Sequence, residues 1–361
     1  MTARTLVVVP NWVGDVVMAL PTLEALAASG REIDVLARPG LAPLLGLSPQ
    51  VAEVLSRAGS DATAIQQIRR RGYREAVILP GSFRAAWIPF RGRVAERWGY
   101  RGQWRSALLT HGVRRPRGGR HQIDDYRALL AALGASLPEP AVPRLDLAEE
   151  ARRSGAALLE RAGLEAGGSG PLVGIFPGAE FGRSKRWPLA QFVELAQRIR
   201  RSVAQVRLAT LVGPKEVWLG VRIHEQTGRA VPVLGPDLDL AGLASVLFHF
   251  DLLVTNDSGP MHLAAALGVP CVALFGPTDP RRTSPAGEGH QVLYTDRWCS
   301  PCFRRSCPLL HHRCLRDIEV GQVIAALTRG LEKGGPGPPI RSRTADRRPR
   351  PPAGGRPESG G

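Results

Sequence analysis

Three segments place polar, charged and glycine residues where an apolar run gives way to a helical pattern, and a fourth gathers thiols. The first is Thr255-Asn256-Asp257-Ser258-Gly259-Pro260-Met261-His262, with a helix opening near Ser258 to Pro260. Proline suits a first helical turn, whose N–H groups lack intrahelical partners. Those amides and the positive helix end make a seat for phosphate. Gly259 would let a ligand approach the backbone, and Ser258 and His262 add side-chain donors. Asp257 would repel a phosphate, so it orients the loop amides or binds a sugar hydroxyl. With no ligand, the same residues read as an N-capped helix after a strand. Polar residues crowded at the carboxyl end of a strand favour the ligand reading.

The second segment, residues 176–188 (FPGAEFGRSKRWP), supplies Gly178 and Gly182 and the cations Arg183, Lys185 and Arg186 before a helix starting near Pro188. Lys185 is one of three lysines beside 45 arginines among the 48 basic residues. A compact ammonium suits a diphosphate leaving group; a solvated surface lysine is the alternative. In the third, residues 10–21 (PNWVGDVVMALP), Asp15 follows Gly14 at the opening of a helix. It is either a helix-start carboxylate held by its own amides or a general base for an acceptor hydroxyl. A helix N-terminus would lower its pKa and weaken it as a base. The fourth is Cys299, Cys302, Cys307 and Cys314, with His311 and His312 nearby: a structural zinc site or four free thiols.

Short β-rich runs alternating with helical stretches must position these residues, a pattern that predicts parallel sheets with crossover helices. The first half offers strands at residues 6–10, 33–37 and 75–80, and helices at about 16–28, 61–71 and 122–133. A helix at 147–164 and a flexible glycine-rich joint at 167–171 follow. The alternation then restarts with strands at 172–176, 207–212, 231–234, 251–255 and 269–275, separated by helices. The expected organisation is an α/β chain of two doubly wound domains, 1–165 and 166–332. A basic, Pro/Gly-rich tail, 333–361, lacks the apolar surface to order itself.

The chain has 361 residues, 43% hydrophobic and 22% charged, enough for two globular cores. Its formal net charge of +16 favours anionic partners such as phosphates, acidic sugars or a membrane surface. Nothing resembles a nucleic-acid-binding signature. The N-terminus lacks the features of a signal peptide, and no apolar stretch reaches membrane-spanning length. The expectation is a cytoplasmic protein able to touch the inner membrane from that side, with reduced cysteines. A Walker A motif, a nucleophile elbow and a dinucleotide-binding glycine fingerprint are all missing. So is a D-x-D metal clamp, so cations and helix ends would meet leaving-group charge.

Taken in order, NWVGDVVMALP, LPGSFRAAWIPF (79–90), RWGYRGQWR (97–105), FPGAEFGRSKRWP and TNDSGPMHLAAALGVPCVALFGPT resemble glycosyltransferase family 9. These are the ADP-heptose:lipopolysaccharide heptosyltransferases, and the likeness is strongest to the type II members. It covers roughly residues 5–330 and implies a GT-B fold of two Rossmann-like domains facing a central cleft. It implies an inverting transfer of heptose from ADP-heptose to the heptosyl-Kdo inner core, with no cofactor needed for catalysis. Asp15 would be the catalytic base and Lys185 the phosphate-binding lysine. The donor site would comprise Gly178, Lys185, Glu216, Asn256, Asp257, Ser258, Gly259 and His262. Asn11, Arg84, Arg97, Arg101 and Arg105 would face the phosphorylated acceptor, Kdo-lipid A carrying one heptose. A type I or III enzyme, or a nucleotide-sugar-binding or epimerase protein on this fold, is the rival reading.

Overall fold

The computed structural model describes residues 4–333 apart from 103 and 117. The expected tail lies outside them, save that Lys333 ends the last helix. Six strands form the first sheet: β1 (Arg4–Val8), β2 (Glu32–Ala37), β3 (Val51–Ser56), β4 (Glu75–Ile78), β5 (Glu96–Tyr100) and β6 (His111–Val113). Their order is β3-β2-β1-β4-β5-β6 and every pair is parallel. The second sheet contains β7 (Leu172–Phe176), β8 (Arg207–Leu211), β9 (Val233–Leu234), β10 (Leu252–Asn256), β11 (Cys271–Phe275) and β12 (Gln291–Tyr294). Its order, β12-β11-β10-β7-β8-β9, repeats that of the first sheet and is again all parallel.

The helices of the first half are α1 (Val13–Ala28), α2 (Ala42–Leu45), α3 (Asp61–Arg71), α4 (Phe83–Arg91) and α5 (Arg127–Ala132). Then come α6 (Glu149–Arg161), α7 (Leu189–Ser202), α8 (Val217–Gln226), α9 (Leu240–Leu247) and α10 (Gly259–Ala266). Short α11 (Pro280–Thr283) and α12 (Arg313–Arg316) precede α13 (Val320–Lys333). Helices cover the second sheet, so β7, β10 and β11 are buried along their whole length. That is why they read as unbroken apolar runs rather than alternating ones. None of the described helices is long and apolar enough to cross a membrane.

Several expected elements shift. Strands β3, β5, β6 and β12 had no expected counterpart. β3 and β12 are sheet edges and only partly buried, and β5 (ERWGY) carries charge and glycine that mask its pattern. Helix α4 forms although Pro89 lies inside it, with Ser82 accepting from the Ala85 N–H to cap its start. The helix expected over 122–133 begins as a 3-10 turn, Gln122–Tyr126, before α5.

Helix α6 lies against α9, so closely that a Cβ on Gly155 would sit 2.0 Å from Ser245 O. The Leu145 N–H donates to Ala266 O at 2.9 Å, so the chain has reached the second half before α6 begins. The glycine-rich joint expected to flex is contacted at its end by Arg207. Arg207 donates to Gly170 O at 2.8 Å and also to Glu165 O.

In both sheets the strand order reverses beside the first strand, between β1 and β4 and between β7 and β10. Ligands of open α/β sheets bind outside the carboxyl ends of the strands at such a reversal. The loops there carry Asp15 in the first half and Lys185 and Asp257 in the second.

Candidate active site

Asp15 lies in the first turn of α1, just beyond β1. No side chain caps this helix, so Asp15 is not spent on its own amides. Its Oδ1 accepts from the Gln122 amide at 3.0 Å. Burial raises its pKa above the ordinary carboxylate value, opposed by the Gln122 hydrogen bond and by Lys185, while Asp257 adds to the rise. The helix end was expected to lower that pKa; desolvation, the largest cause, acts in the opposite sense.

Opposite stands the turn after β7. Lys185 Nζ pairs with Asp257 Oδ2 at 2.6 Å, and the Thr278 hydroxyl donates to the same oxygen at 2.5 Å. Asp257 therefore orients the lysine, not the loop amides. Arg186 pairs with Glu216 Oε1 at 2.6 Å, which also accepts from the Ala179 N–H at 2.9 Å. Asn256 is fully buried, with its amide donating to Pro177 O and Gly178 O and accepting from the Trp187 N–H at 3.0 Å. Those bonds make Asn256 a brace between the two loops. The indole of Trp187, equally buried, donates to Ile318 O and anchors the turn from below.

The glycines answer to protein neighbours. A Cβ on Gly178 would lie 2.0 Å from Glu216 Oε2, so the carboxylate already fills that space. A Cβ on Gly259 would lie 2.8 Å from Val13 Cβ, and one on Gly14 2.6 Å from the His262 ring. Gly259 and Gly14 thus let the N-termini of α10 and α1 abut across the cleft. Two positive helix ends meet there, beside Asp15 and the Lys185–Asp257 ion pair. Ser258 precedes α10 without capping it by its side chain; its hydroxyl lies 3.2 Å from that of Thr255. His262 is buried and neutral at pH 7, its pKa lowered to about 4 by desolvation.

On the acceptor side the five expected residues separate. Arg97 sits at the amino end of β5, away from the crevice, and donates to Leu108 O at 2.7 Å and to Val94 O. Arg105 is 1% exposed, donating to Tyr100 O at 2.7 Å and to Pro80 O, and burial lowers its pKa to about 10. Both guanidiniums are held by backbone carbonyls, Arg105 in the interior. Arg101 folds onto Gly112 O at 2.7 Å. Asn11 and Arg84 remain at the carboxyl end of the sheet, Arg84 paired with Asp61 at 2.8 Å and Asn11 accepting from Arg57 at 2.8 Å. Arg38 and Arg57, which follow β2 and β3 directly, were not foreseen. Arg57 has its pKa lowered by burial and by the nearby guanidiniums of Arg84 and Arg38. Like charges crowded beside one aspartate suit an anionic ligand.

A 3-10 turn links the halves at the same place. His121 Nε2 lies 3.0 Å from Ser284 O, and Arg282 pairs with Asp125 at 3.4 Å. Gln122, on this turn, had no motif to announce it.

All four clustered cysteines are free thiols. Cys299 Sγ lies 3.9 Å from His311 Nε2, and burial and the other three thiols push Cys314 up to about 11. Among the described residues, no three His, Cys, Asp or Glu side chains converge to hold a metal ion.

Two Rossmann-like sheets that meet at their strand reversals, a carboxylate on one side and a lysine on the other, define a glycosyltransferase of the GT-B fold. The family model described as glycosyltransferase family 9 (heptosyltransferase) matches residues 62–312. The lipopolysaccharide heptosyltransferase 2 of Salmonella typhimurium is 32% identical, over 92% of this chain and 99% of its own. That of Escherichia coli is also 32% identical, over 90% and 97%. The solved structure of E. coli ADP-heptose lipopolysaccharide heptosyltransferase II superposes with a TM-score of 0.77 at 28% identity, over 92% of this chain and 100% of that one. The chain belongs to glycosyltransferase family 9.

Proposed function

We propose that this enzyme transfers heptose from ADP-L-glycero-D-manno-heptose to the heptosyl-Kdo inner core of lipopolysaccharide, with inversion at the anomeric carbon and without a metal ion. The observation that carries this reading is the meeting of Asp15 with the Lys185–Asp257 pair across the cleft. The acceptor hydroxyl gives its proton to Asp15 as its oxygen bonds to C1 of the donor. The bond from C1 to the β-phosphate oxygen breaks, and ADP leaves with the electron pair. Lys185 and the amino end of α10 at Ser258 and Gly259 stabilise that charge. Neutral His262 lies alongside, and Glu216 closes the ribose end. Gly178, Asn256 and Asp257 shape this surface from behind.

Asn11 and Arg84, joined by Arg38 and Arg57, take the phosphorylated, Kdo-bearing acceptor, with Arg101 at the rim. The basic surface holds the enzyme against the inner face of the inner membrane, in the cytoplasm. The first half is the acceptor domain and the second the donor domain. Closure pivots on residues 134–148, since α6 already belongs with α9, and excludes water as the competing nucleophile. A structural zinc at Cys299, Cys302, Cys307 and Cys314 would require the thiols to draw inward. One equivalent of zinc in the purified protein supports that site, and metal-free protein with four titratable thiols there ends it.

Incubation with ADP-heptose and inner-core acceptors of increasing length, read by mass spectrometry, tests the reaction. A gain of one heptose on the mono-heptosylated core supports it, and hydrolysis or epimerisation without transfer refutes it. Asp15→Ala should abolish transfer while ADP still binds; wild-type turnover by that variant would remove Asp15 as the base.

A further inference from the structure

The cysteine loop between β12 and α12 has no part in the transfer proposed above, yet it folds back onto the turn that carries Lys185. Buried Ser184, next to that lysine, donates its N–H to Arg305 O at 3.3 Å and its hydroxyl to Arg304 O at 2.5 Å. Gly182 has a φ of +150°, and a Cβ there would lie 2.5 Å from Arg305 O. The Phe303 N–H donates to Pro277 O at 2.8 Å, beside the threonine that holds Asp257. Residues 303–305 therefore brace both arms of the Lys185–Asp257 pair.

This bracing places the Arg305 side chain at the mouth of the cleft. Its guanidinium lies 5.4 Å from the Phe181 ring centre and 6.0 Å from that of Trp12, which belongs to the acceptor half. Lys185 Nζ lies 4.9 Å from the same Phe181 ring, so the two cations flank one aromatic side chain. Ring contacts orient a guanidinium without neutralising it.

Charge balance then separates Arg305 from its neighbours. Lys185 is paired with Asp257 and Arg186 with Glu216, so neither brings net charge to the donor site. Arg305 has no carboxylate within ion-pair distance among the described residues, and Arg183, similarly unpaired, stacks on neither ring. Departing ADP carries more negative charge than the bound nucleotide sugar, and a compensated lysine cannot meet all of it. We propose that Arg305 is a donor-binding residue, its guanidinium fork engaging the diphosphate of the nucleotide sugar and completing a cationic pair with Lys185. The proposal rests on the reading of the Lys185 turn as the diphosphate site.

Isothermal titration of the full-length protein with ADP and with AMP tests it. The variants are Arg305→Gln, Arg305→Lys and Lys185→Gln, with Arg198→Gln on the exposed face of α7 as control. Loss of a charged hydrogen bond should weaken ADP binding about tenfold or more in Arg305→Gln. Arg305→Lys should recover part of that loss, and AMP, lacking the β-phosphate, should lose less than ADP. Arg198→Gln should match wild type. If ADP binds Arg305→Gln as it binds wild type while Lys185→Gln weakens, the role of Arg305 is refuted and the donor site stands. A rise confined to the acceptor KM would refute it too, by moving Arg305 to the acceptor. If Lys185→Gln also binds ADP normally, the donor reading of the turn itself fails.

Discussion

Replacing Gln122 with leucine should move the acid limb of the pH–rate profile toward alkaline pH. In the proposed reaction Asp15 must be deprotonated to accept the acceptor's proton, so kcat/KM should rise with pH through its pKa. Burial holds that pKa up, and the Gln122 amide, 3.0 Å from Oδ1, pulls it down by favouring the charged form. A hydrogen bond to a charged group contributes roughly 1.5–3 kcal/mol, and one pKa unit corresponds to about 1.4 kcal/mol. Asp15 is partly open to water, which would replace some of the lost bond, so the expected rise is about one unit. Well above both midpoints the variant should approach wild-type rates, because the carboxylate is charged in either protein. The assay is kcat/KM for heptose transfer from acid to neutral pH, with a melting curve to confirm folding. Asp257→Asn provides the opposite sign. It removes a negative neighbour and frees Lys185, so the limb should move toward acid. A Gln122→Leu midpoint that stays put, or moves acidward, would refute the account of how Asp15 is tuned.

Three further outcomes follow from the geometry. Gly259→Ala forces a methyl to within 2.8 Å of Val13 Cβ, so the α1–α10 contact must open; a loss of about 1–3 kcal/mol in chemical denaturation is expected, and an unchanged midpoint would mean the helix ends do not abut. His262 has a folded pKa near 4 against 6.5 unfolded, so its contribution to stability is complete above pH 6.5 and falls away as pH drops toward 4, by roughly 3 kcal/mol in all. Comparing wild type with His262→Gln at both ends of that range isolates it, and equal acid losses in the two proteins would sink it. Asp125→Asn breaks a mostly buried but long (3.4 Å) pair with Arg282, so stability should fall by about 1 kcal/mol. Hydrolysis of ADP-heptose should nonetheless rise relative to transfer, since this pair helps hold the halves closed; an unchanged ratio would count against that role.

Much of the fold was legible because its signals are local. Fully buried strands such as β7, β10 and β11 are unbroken apolar runs, and each active-site loop begins where such a run stops at proline, asparagine or glycine. The strands that escaped notice, β3, β5, β6 and β12, are edge or partly exposed strands whose pairing partners, not their own residues, define them. The arginines expected on the acceptor side were hard to sort for a related reason. In a chain with so many arginines, type alone does not distinguish Arg105, capped by carbonyls in the interior, from Arg57, crowded with other cations at the open end of the sheet.

The sequence by itself determined the repeated α/β architecture, and it named the loops, the acid and the lysine to which the proposed chemistry is assigned. Each of these depends on residues within a turn or two of one another. Only the tertiary structure decided what those residues touch. Gly178, Gly182 and Gly259 are shaped for Glu216, the Arg305 backbone and Val13, contacts made between residues far apart in the chain. Burial raises the Asp15 pKa, where its helix position alone would lower it, because desolvation depends on everything packed around it. Asp257 pairs with Lys185, and both come near enough to Asp15 to bear on its charge, only because two sheets whose loops lie some 170 residues apart bring their strand reversals together.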